Sequence, residues 1–268
     1  MSSKYLGKQF DIHGGGLDLQ FPHHECEIAQ SQAANQTDPA KYWMHNNLIT
    51  INGQKMGKSL GNFINLYELF SGEHQLLEQP YSPMTIRFFM LQAHYRSTLD
   101  FSNEALIAAQ KAYKKAINGL RTVRKMEFKK EDGISLNEKA IKQINQLCDN
   151  TYSAMNDDFN TALAVGHLFN LLKKINSLYT GQLKFAEIGE ETFVRMKTVY
   201  STFIEDIFGL VEEKPNNPEI IVEALLQVYK EAKEAKDYER VDSIRAQLKK
   251  QGLIVKDLKT GVDWAYEE

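Results

Sequence analysis

The chain has 268 residues, 43% apolar and 25% charged, enough for two domains with their own cores and too ordinary in composition for a disordered or fibrous protein. No run of about 18 apolar residues occurs, which excludes a transmembrane helix, and the opening Met-Ser-Ser-Lys-Tyr leads into polar sequence rather than a secretory signal. A net charge of −3 excludes a globally basic nucleic-acid coat, though not a local basic face, and two cysteines, Cys26 and Cys148, are too few for a disulfide scaffold and suit a cytoplasmic, reducing setting.

Taken in chain order, residues 8–20 read as a short strand running into a loop at Gly14-Gly15-Gly16. Pro22 suits a first helical position, with the helix continuing from His23 to Ala34. A second helical stretch is expected from after Asp38-Pro39 to about Asn46. Leu48–Ile51 is β-type, and Asn52-Gly53 is a turn dipeptide that predicts a hairpin, followed by a loop over 54–62. From Pro83 onward, apolar residues recur at three-to-four spacing and predict helices over 84–92, 102–129, 137–155, 160–179, 190–208 and 218–233. Ser102 and Asn160 are plausible N-caps. Residues 214–218, Lys-Pro-Asn-Asn-Pro, read as a linker. Beyond it come a helix over 237–250, a C-cap at Gly252, and short strands at 253–255 and 262–264. The expected architecture is mainly α: part of a Rossmann-like α/β domain, a helical bundle, and a small mixed α/β C-terminal domain.

Six of the seven histidines and eight of the 16 glycines fall within the first 94 residues, so chemistry is to be sought there. His23 and Glu27 stand four apart on the expected helix and share a face. Imidazole and carboxylate are competent zinc ligands, although such pairs are also common on solvated helices. Cys26 projects about 100° away from Glu27. Three successive glycines let a ligand approach the backbone, and Asp18 beyond them can accept ribose hydroxyls. A plain tight turn is the alternative, and no Walker loop is present. Lys55-Met-Gly-Lys-Ser59 sets two lysines on a glycine-flanked loop, where mobile point charges and free amides can meet a polyphosphate. Residues 111–130 hold eight Lys or Arg against one acid, Glu127, a local cationic stripe adequate for a few phosphate contacts.

In order, these features resemble the cysteinyl-tRNA synthetases, a class I aminoacyl-tRNA synthetase family. The block Phe10-Asp-Ile-His-Gly-Gly-Gly-Leu-Asp-Leu-Gln-Phe-Pro-His-His-Glu-Cys-Glu-Ile-Ala-Gln30 carries most of the likeness, and Lys55–Ser59 matches the KMSKS loop. His94–Ser102, Met155–Thr161 and the tail from Lys236 through Arg245 to Gly252 and Asp257 resemble further family blocks. The resemblance implies ATP-dependent activation of cysteine and its transfer to tRNA-Cys. It implies that His23 and Glu27 are two of four ligands to a zinc that binds the substrate thiolate. It also implies that His13, Gly14, Gly15, Gly16 and Asp18 lie under the adenosine. Lys55 and Lys58 are implied as catalytic, with Lys58 holding ATP phosphates. Domains are expected at 1–62 (catalytic, with the KMSKS-type loop), 63–101 (stem contact), 102–213 (tRNA-binding bundle) and 214–268 (anticodon binding, with Arg245, Asp257 and Trp264 as candidate contacts). The full-length enzyme is expected to be a monomer without membrane contact.

Departures from the family pattern bear on these expectations. The HIGH motif and the two cysteine zinc ligands have no counterpart here, and neither Cys26 nor Cys148 aligns with them, so a C-terminal fragment, catalytically incompetent alone and weak in zinc, is expected. Gly57 replaces the usual serine of KMSKS. Ile12, Leu17, Leu19 and Phe21 are expected to be exposed. The principal alternative is a non-catalytic tRNA-binding module. A zinc hydrolase lacks a His-Glu-x-x-His helix, and relatives that ligate cysteine to a sugar amine do not need the bundle and tail.

Overall fold

The computed structural model describes residues 2–213, 218–250, 253–258 and 261–266. The chain divides into two compact units, 1–212 and 213–268. The expected linker falls largely on 214–217, and the Gly252 C-cap likewise lies outside the described residues. Among the described residues no helix is long and apolar enough to cross a membrane. The fold is mainly α.

The larger unit opens with a short turn of helix, α1 (Ser2–Tyr5), and then a strand–helix–strand crossover: β1 (Phe10–Gly16), α2 (Glu25–Asn35) and β2 (Ala40–Asn46). β1 and β2 are parallel, with His13 opposite Trp43 and Gly15 opposite His45. This is the unit from which Rossmann-like sheets are built. Three local expectations fail here. Residues 40–46 form a strand instead of a helix: Tyr42 and Trp43 favour a pleated surface, and the β1 backbone supplies the ladder that a lone helix reading ignores. Gly14–Gly16 continue the strand instead of looping, because each pairs across to β2. The regular helix begins at Glu25, since Phe21 is extended (φ −132°, ψ 132°) and residues 20–24 form a wider turn.

β3 (Ile49–Ile51) and β4 (Gln54–Lys55) make the expected hairpin. Asn52 (φ 50°) and Gly53 (φ 77°) both take the left-handed conformation that a two-residue turn of this kind requires. A short helix, α3 (Leu66–Ser71), carries a reciprocal capping box between Asn65 and Glu68. Neither it nor β5 (Leu99–Phe101), which pairs with β3 in parallel, is among the elements expected from local pattern. α4 (Pro83–Leu91) starts at the Ser82 cap.

The bundle follows: α5 (Asn103–Lys125), α6 (Glu138–Asn156), α7 (Thr161–Tyr179) and α8 (Phe185–Thr202). Ser102, Asn137 and Asn160 cap the first three, each side chain accepting a backbone N–H. α5 stops at Lys125, short of the expected Lys129, because Met126 turns extended and is buried while Phe128 packs against Phe185 and Phe193. Gly189 (φ 73°) interrupts α8, which explains why periodicity resumes only at Glu190. One apolar core runs through the bundle, including Tyr81, Phe88, Leu106, Ile144, Leu171, Met196 and Phe203. Among the described residues none before Ile49 joins it, and Ile12, Leu17, Leu19 and Phe21 are exposed as expected.

The smaller unit has α9 (Pro218–Glu234), α10 (Tyr238–Lys249) and an antiparallel pair, β6 (Leu253–Leu258) and β7 (Gly261–Tyr266). Leu226, Tyr229, Val241, Ile244, Leu248 and Val255 form its core.

Candidate functional site

The parallel register of β1 and β2 stacks aromatic rings on one face of the crossover. His13 lies over Trp43, centroids 4.5 Å apart and 24° from parallel. Two residues on, a Cβ on Gly15 would stand 2.6 Å from His24 Cε1, so only glycine lets that ring settle on the strand. His24 is buried, and its Nδ1 lies 2.8 Å from His45 Nε2, so one of the two rings donates and the other accepts. His13 Nε2 lies 3.3 Å from Glu27 Oε2.

His13, His24 and Glu27 therefore form one group, with ligand atoms all within 4.8 Å of one another. Two imidazoles and a carboxylate match the donor chemistry of zinc. The expected partner of Glu27, His23, is exposed and lies outside this group; its neighbour His24 turns inward instead. Spacing along a helix could not distinguish the two, because what decides is the bare backbone of Gly15 on another element. Trp43 and His45, two apart in a strand and so on one face, were missed because residues 40–46 read as helix.

Asp18 follows the strand on a short turn, and a Cβ on Gly16 would stand 2.3 Å from its Oδ1. Gly14 lies in the strand opposite Met44. A cavity of about 530 Å³ opens beside the cluster, lined in part by His13, Glu27, Lys8 and Asn35.

The Lys55–Ser59 loop leaves β4. Asn62 is buried and braces the loop from within, accepting the Gly57 N–H at 2.9 Å and donating to Lys55 O at 3.0 Å. Lys55 and Lys58 stay exposed, Lys58 Nζ lying 5.4 Å from the Phe63 ring centroid. The base of the loop is thus held by side-chain hydrogen bonds, while both lysines lie at the surface.

The cationic stripe on α5 is divided by its partners. Arg121 and Arg124 form ion pairs with Glu212 and Glu205. Lys111, Lys114 and Lys115 instead border a groove of about 350 Å³ between α5 and α7, with Asn118, Thr122 and Asn176. In the smaller unit the candidate contacts are already engaged. Arg245 donates to the Tyr229 hydroxyl at 2.6 Å and to Asp257 at 3.1 Å. Asp257 also meets Lys233 at 2.9 Å, and that hydrogen bond above all holds its carboxyl below the usual range. Trp264 packs against the core.

Residues 1–112 match the class I (C) tRNA synthetase catalytic domain, and residues 150–212 match the DALR domain. The chain is 60% identical to the cysteine–tRNA ligase of Cytophaga hutchinsonii, over 100% of this chain and 54% of that protein. It is 48% identical to the cysteine–tRNA ligase of Phocaeicola vulgatus, over 98% of this chain and 53% of that protein. The chain thus spans about half the length of the curated relatives it matches. A leucyl-tRNA synthetase chain, solved in a ternary complex from Agrobacterium radiobacter K84, shares the fold with a TM-score of 0.51 at 13% identity, over 74% of this chain and 26% of that one. Residues 1–112 thus match the class I (C) tRNA synthetase catalytic domains and residues 150–212 the DALR domains, and over its whole length the chain is similar to about half the length of the cysteine–tRNA ligases it matches.

Proposed function

We propose that this chain supplies the lysine-loop and tRNA-reading part of a cytoplasmic cysteine–tRNA ligase, which activates cysteine with ATP and transfers it to tRNA-Cys. The observation that carries this reading is the Lys55–Ser59 loop braced by Asn62, in a chain matched from end to end by cysteine–tRNA ligases. In the first step a cysteine carboxylate oxygen attacks the α-phosphorus of ATP, and pyrophosphate leaves with the bonding electron pair. Lys58, with Lys55 beside it, meets the charge that accumulates on the departing phosphates. The Gly57 and Gly61 amides already donate to Asn62 Oδ1 and Lys58 O, and Gly57 lacks the hydroxyl of a serine, so the two ammonium groups carry the stabilisation. His13, Gly14, Gly15, Gly16 and Asp18 lie near the adenosine, with Asp18 accepting ribose hydroxyls. In the second step a terminal ribose hydroxyl of tRNA attacks the aminoacyl carbonyl, and AMP leaves.

Zinc fits the donors around Glu27. The ligand pair implied by family resemblance is His23 and Glu27; the inward position of His13 and His24 favours those rings as ligands instead. A bound zinc would select a thiolate over a hydroxyl, separating cysteine from serine. His23→Ala and His24→Ala variants, compared for zinc content, distinguish the two ligand sets.

The test is pyrophosphate exchange and tRNA charging with cysteine against serine, for the native protein and for the 268-residue chain. Cysteine-dependent charging by the native protein, lost on Lys58→Ala, is expected. The 268 residues contain no HIGH motif, so exchange by them alone is expected to be undetectable. Charging of serine as readily as cysteine overturns the reading.

A second reading, a tRNA-binding role without chemistry in these residues, is favoured by the Lys111, Lys114 and Lys115 groove. Its test is filter binding with labelled tRNA: affinity that ignores salt counts against it.

A further inference from the structure

We propose that a second cavity in the larger unit, of about 580 Å³, binds an unpaired nucleotide, with Phe159 as its stacking platform. The cavity lies where the end of β2, α4, the 93–99 segment and the turn between α6 and α7 meet. Its volume falls within the range of small-molecule sites.

The strongest observation is the backbone of that turn. Asp158 (φ 56°) and Phe159 (φ 52°) are successive non-glycine residues in the left-handed region, a conformation that costs free energy at each. Surrounding contacts impose it. The Tyr95 hydroxyl donates to Asp158 Oδ1 at 2.7 Å, Arg96 forms an ion pair with the same carboxylate, and His94 Nε2 lies 3.6 Å from Oδ2. The outcome opposes ordinary packing: Phe159 remains 50% exposed at the cavity, beside Met90 and Ile207, which are likewise exposed.

The chemistry of the wall selects the ligand. Phe159 offers a flat π face, and Met90 and Ile207 offer apolar flanks. The Asn46 side-chain oxygen supplies a hydrogen-bonding edge, its amide already donating to Asn47 O at 3.2 Å. Arg87 is exposed and commits one N–H to Phe208 O at 3.0 Å, leaving further donors and a fixed positive charge. A planar heterocycle with polar edges, attached to a phosphate, uses all of these; an aliphatic ligand leaves the edge and the cation unmatched. Preference for a nucleotide over other planar anions rests on the cysteine–tRNA ligase reading above. Two sources share the chemistry: a free mononucleotide, or an unpaired nucleotide within a bound RNA.

The test measures anisotropy of a labelled single-stranded RNA decamer and of a blunt duplex of the same composition, with AMP and CMP as competitors. The decamer is expected to bind at least tenfold more tightly than the duplex. Phe159→Leu, which keeps apolar bulk but loses the π face, is expected to lower decamer affinity about tenfold, the scale of one lost base stack. Phe159→Trp should retain affinity. Competition by the mononucleotides that Phe159→Leu abolishes assigns the site to free nucleotides; decamer binding without competition assigns it to the strand. Should Phe159→Leu fail to fold, Met90→Ala trims the same wall without touching the turn and is expected to weaken the decamer several-fold. Decamer binding unaltered in whichever of these variants folds, or equal affinity for decamer and duplex, overturns the site. Charging activity decides the ligase reading separately: an enzyme that charges tRNA while Phe159→Leu leaves RNA affinity intact refutes the cavity alone.

Discussion

The side-chain oxygen of Asn62 accepts the backbone N–H of Gly57 at 2.9 Å, while its amide donates to Lys55 O at 3.0 Å. One buried side chain therefore ties down the start and the middle of the loop that presents Lys55 and Lys58. Asn62→Ala leaves a partly buried donor and acceptor without partners, at a cost of about 1–3 kcal/mol. The variant is expected to melt earlier and to be cleaved faster by protease within 55–61. In the native enzyme, pyrophosphate exchange should fall with it. A variant with wild-type melting and wild-type cleavage would show that the brace is dispensable.

Gly15→Ala tests the packing of His24. A Cβ at this position would stand 2.6 Å from Cε1 and 3.0 Å from Nε2 of a ring already tied to His45. The ring cannot swing freely, so strain of about 1–3 kcal/mol is expected, together with displacement of His24 from Glu27. Zinc content after metal dialysis should drop if His24 is a ligand and stay level if His23 is. Thermal melting reports the strain in either case.

Gly119 lies within α5, where glycine is ordinarily worse than alanine by about 1 kcal/mol. Here the balance reverses. An added Cβ would meet Leu172 Cδ1 and the Tyr200 hydroxyl, both at 2.5 Å. Both side chains are buried, and Tyr200 donates to Ala116 O at 3.0 Å. Overpacking of about 1–3 kcal/mol outweighs the helix-propensity gain, so Gly119→Ala is expected to destabilise the bundle in urea melts. A stabilised variant would mean that α5 and α7 can separate without loss.

Asp158 gives a pH-dependent expectation. The Tyr95 hydrogen bond above all, with Arg96 and His94, holds its carboxyl below the usual range. The unfolded chain therefore binds more protons near the ordinary aspartate value of about 3.9. The group adds stability above that value, and the contribution is lost as pH falls through the lower folded value. Urea melts of the wild type and of Asp158→Asn at pH 6, 4 and 3 should show a stability gap that narrows with acid. A gap constant across this range would show that charge on Asp158 does not support the turn.

Much of the fold follows from local pattern. The helices of the bundle show in their three-to-four periodicity, and Ser102, Asn137 and Asn160 cap three of them. The Asn52-Gly53 hairpin needs no partner beyond its own strands. The departures from local pattern cluster in residues 10–46, where strand β2 carries a helical pattern and the glycines a loop-like one. There, secondary structure is set by pairing between segments some thirty residues apart, and a window of ten residues holds no record of its partner. The candidate site shows the same division: the lysines of the loop are plain in sequence, while the brace by Asn62 requires a contact across the loop.

By itself the sequence determined the chemistry on offer and the order of its parts: lysines on a glycine-flanked loop, histidines and glycines crowded near one end, and amphipathic helices after them. These depend on side-chain type and short-range spacing, which a linear chain states directly. Only the tertiary structure decided which histidine turns inward, which cations of α5 are neutralised, and that Phe159 is held outward. Each depends on atoms brought together from distant positions: Gly15 beneath His24, Glu205 and Glu212 against Arg124 and Arg121, and Tyr95 and Arg96 on Asp158. Packing and ion pairing act through space, so the spacing of residues along the chain proposes the partners and the fold selects among them.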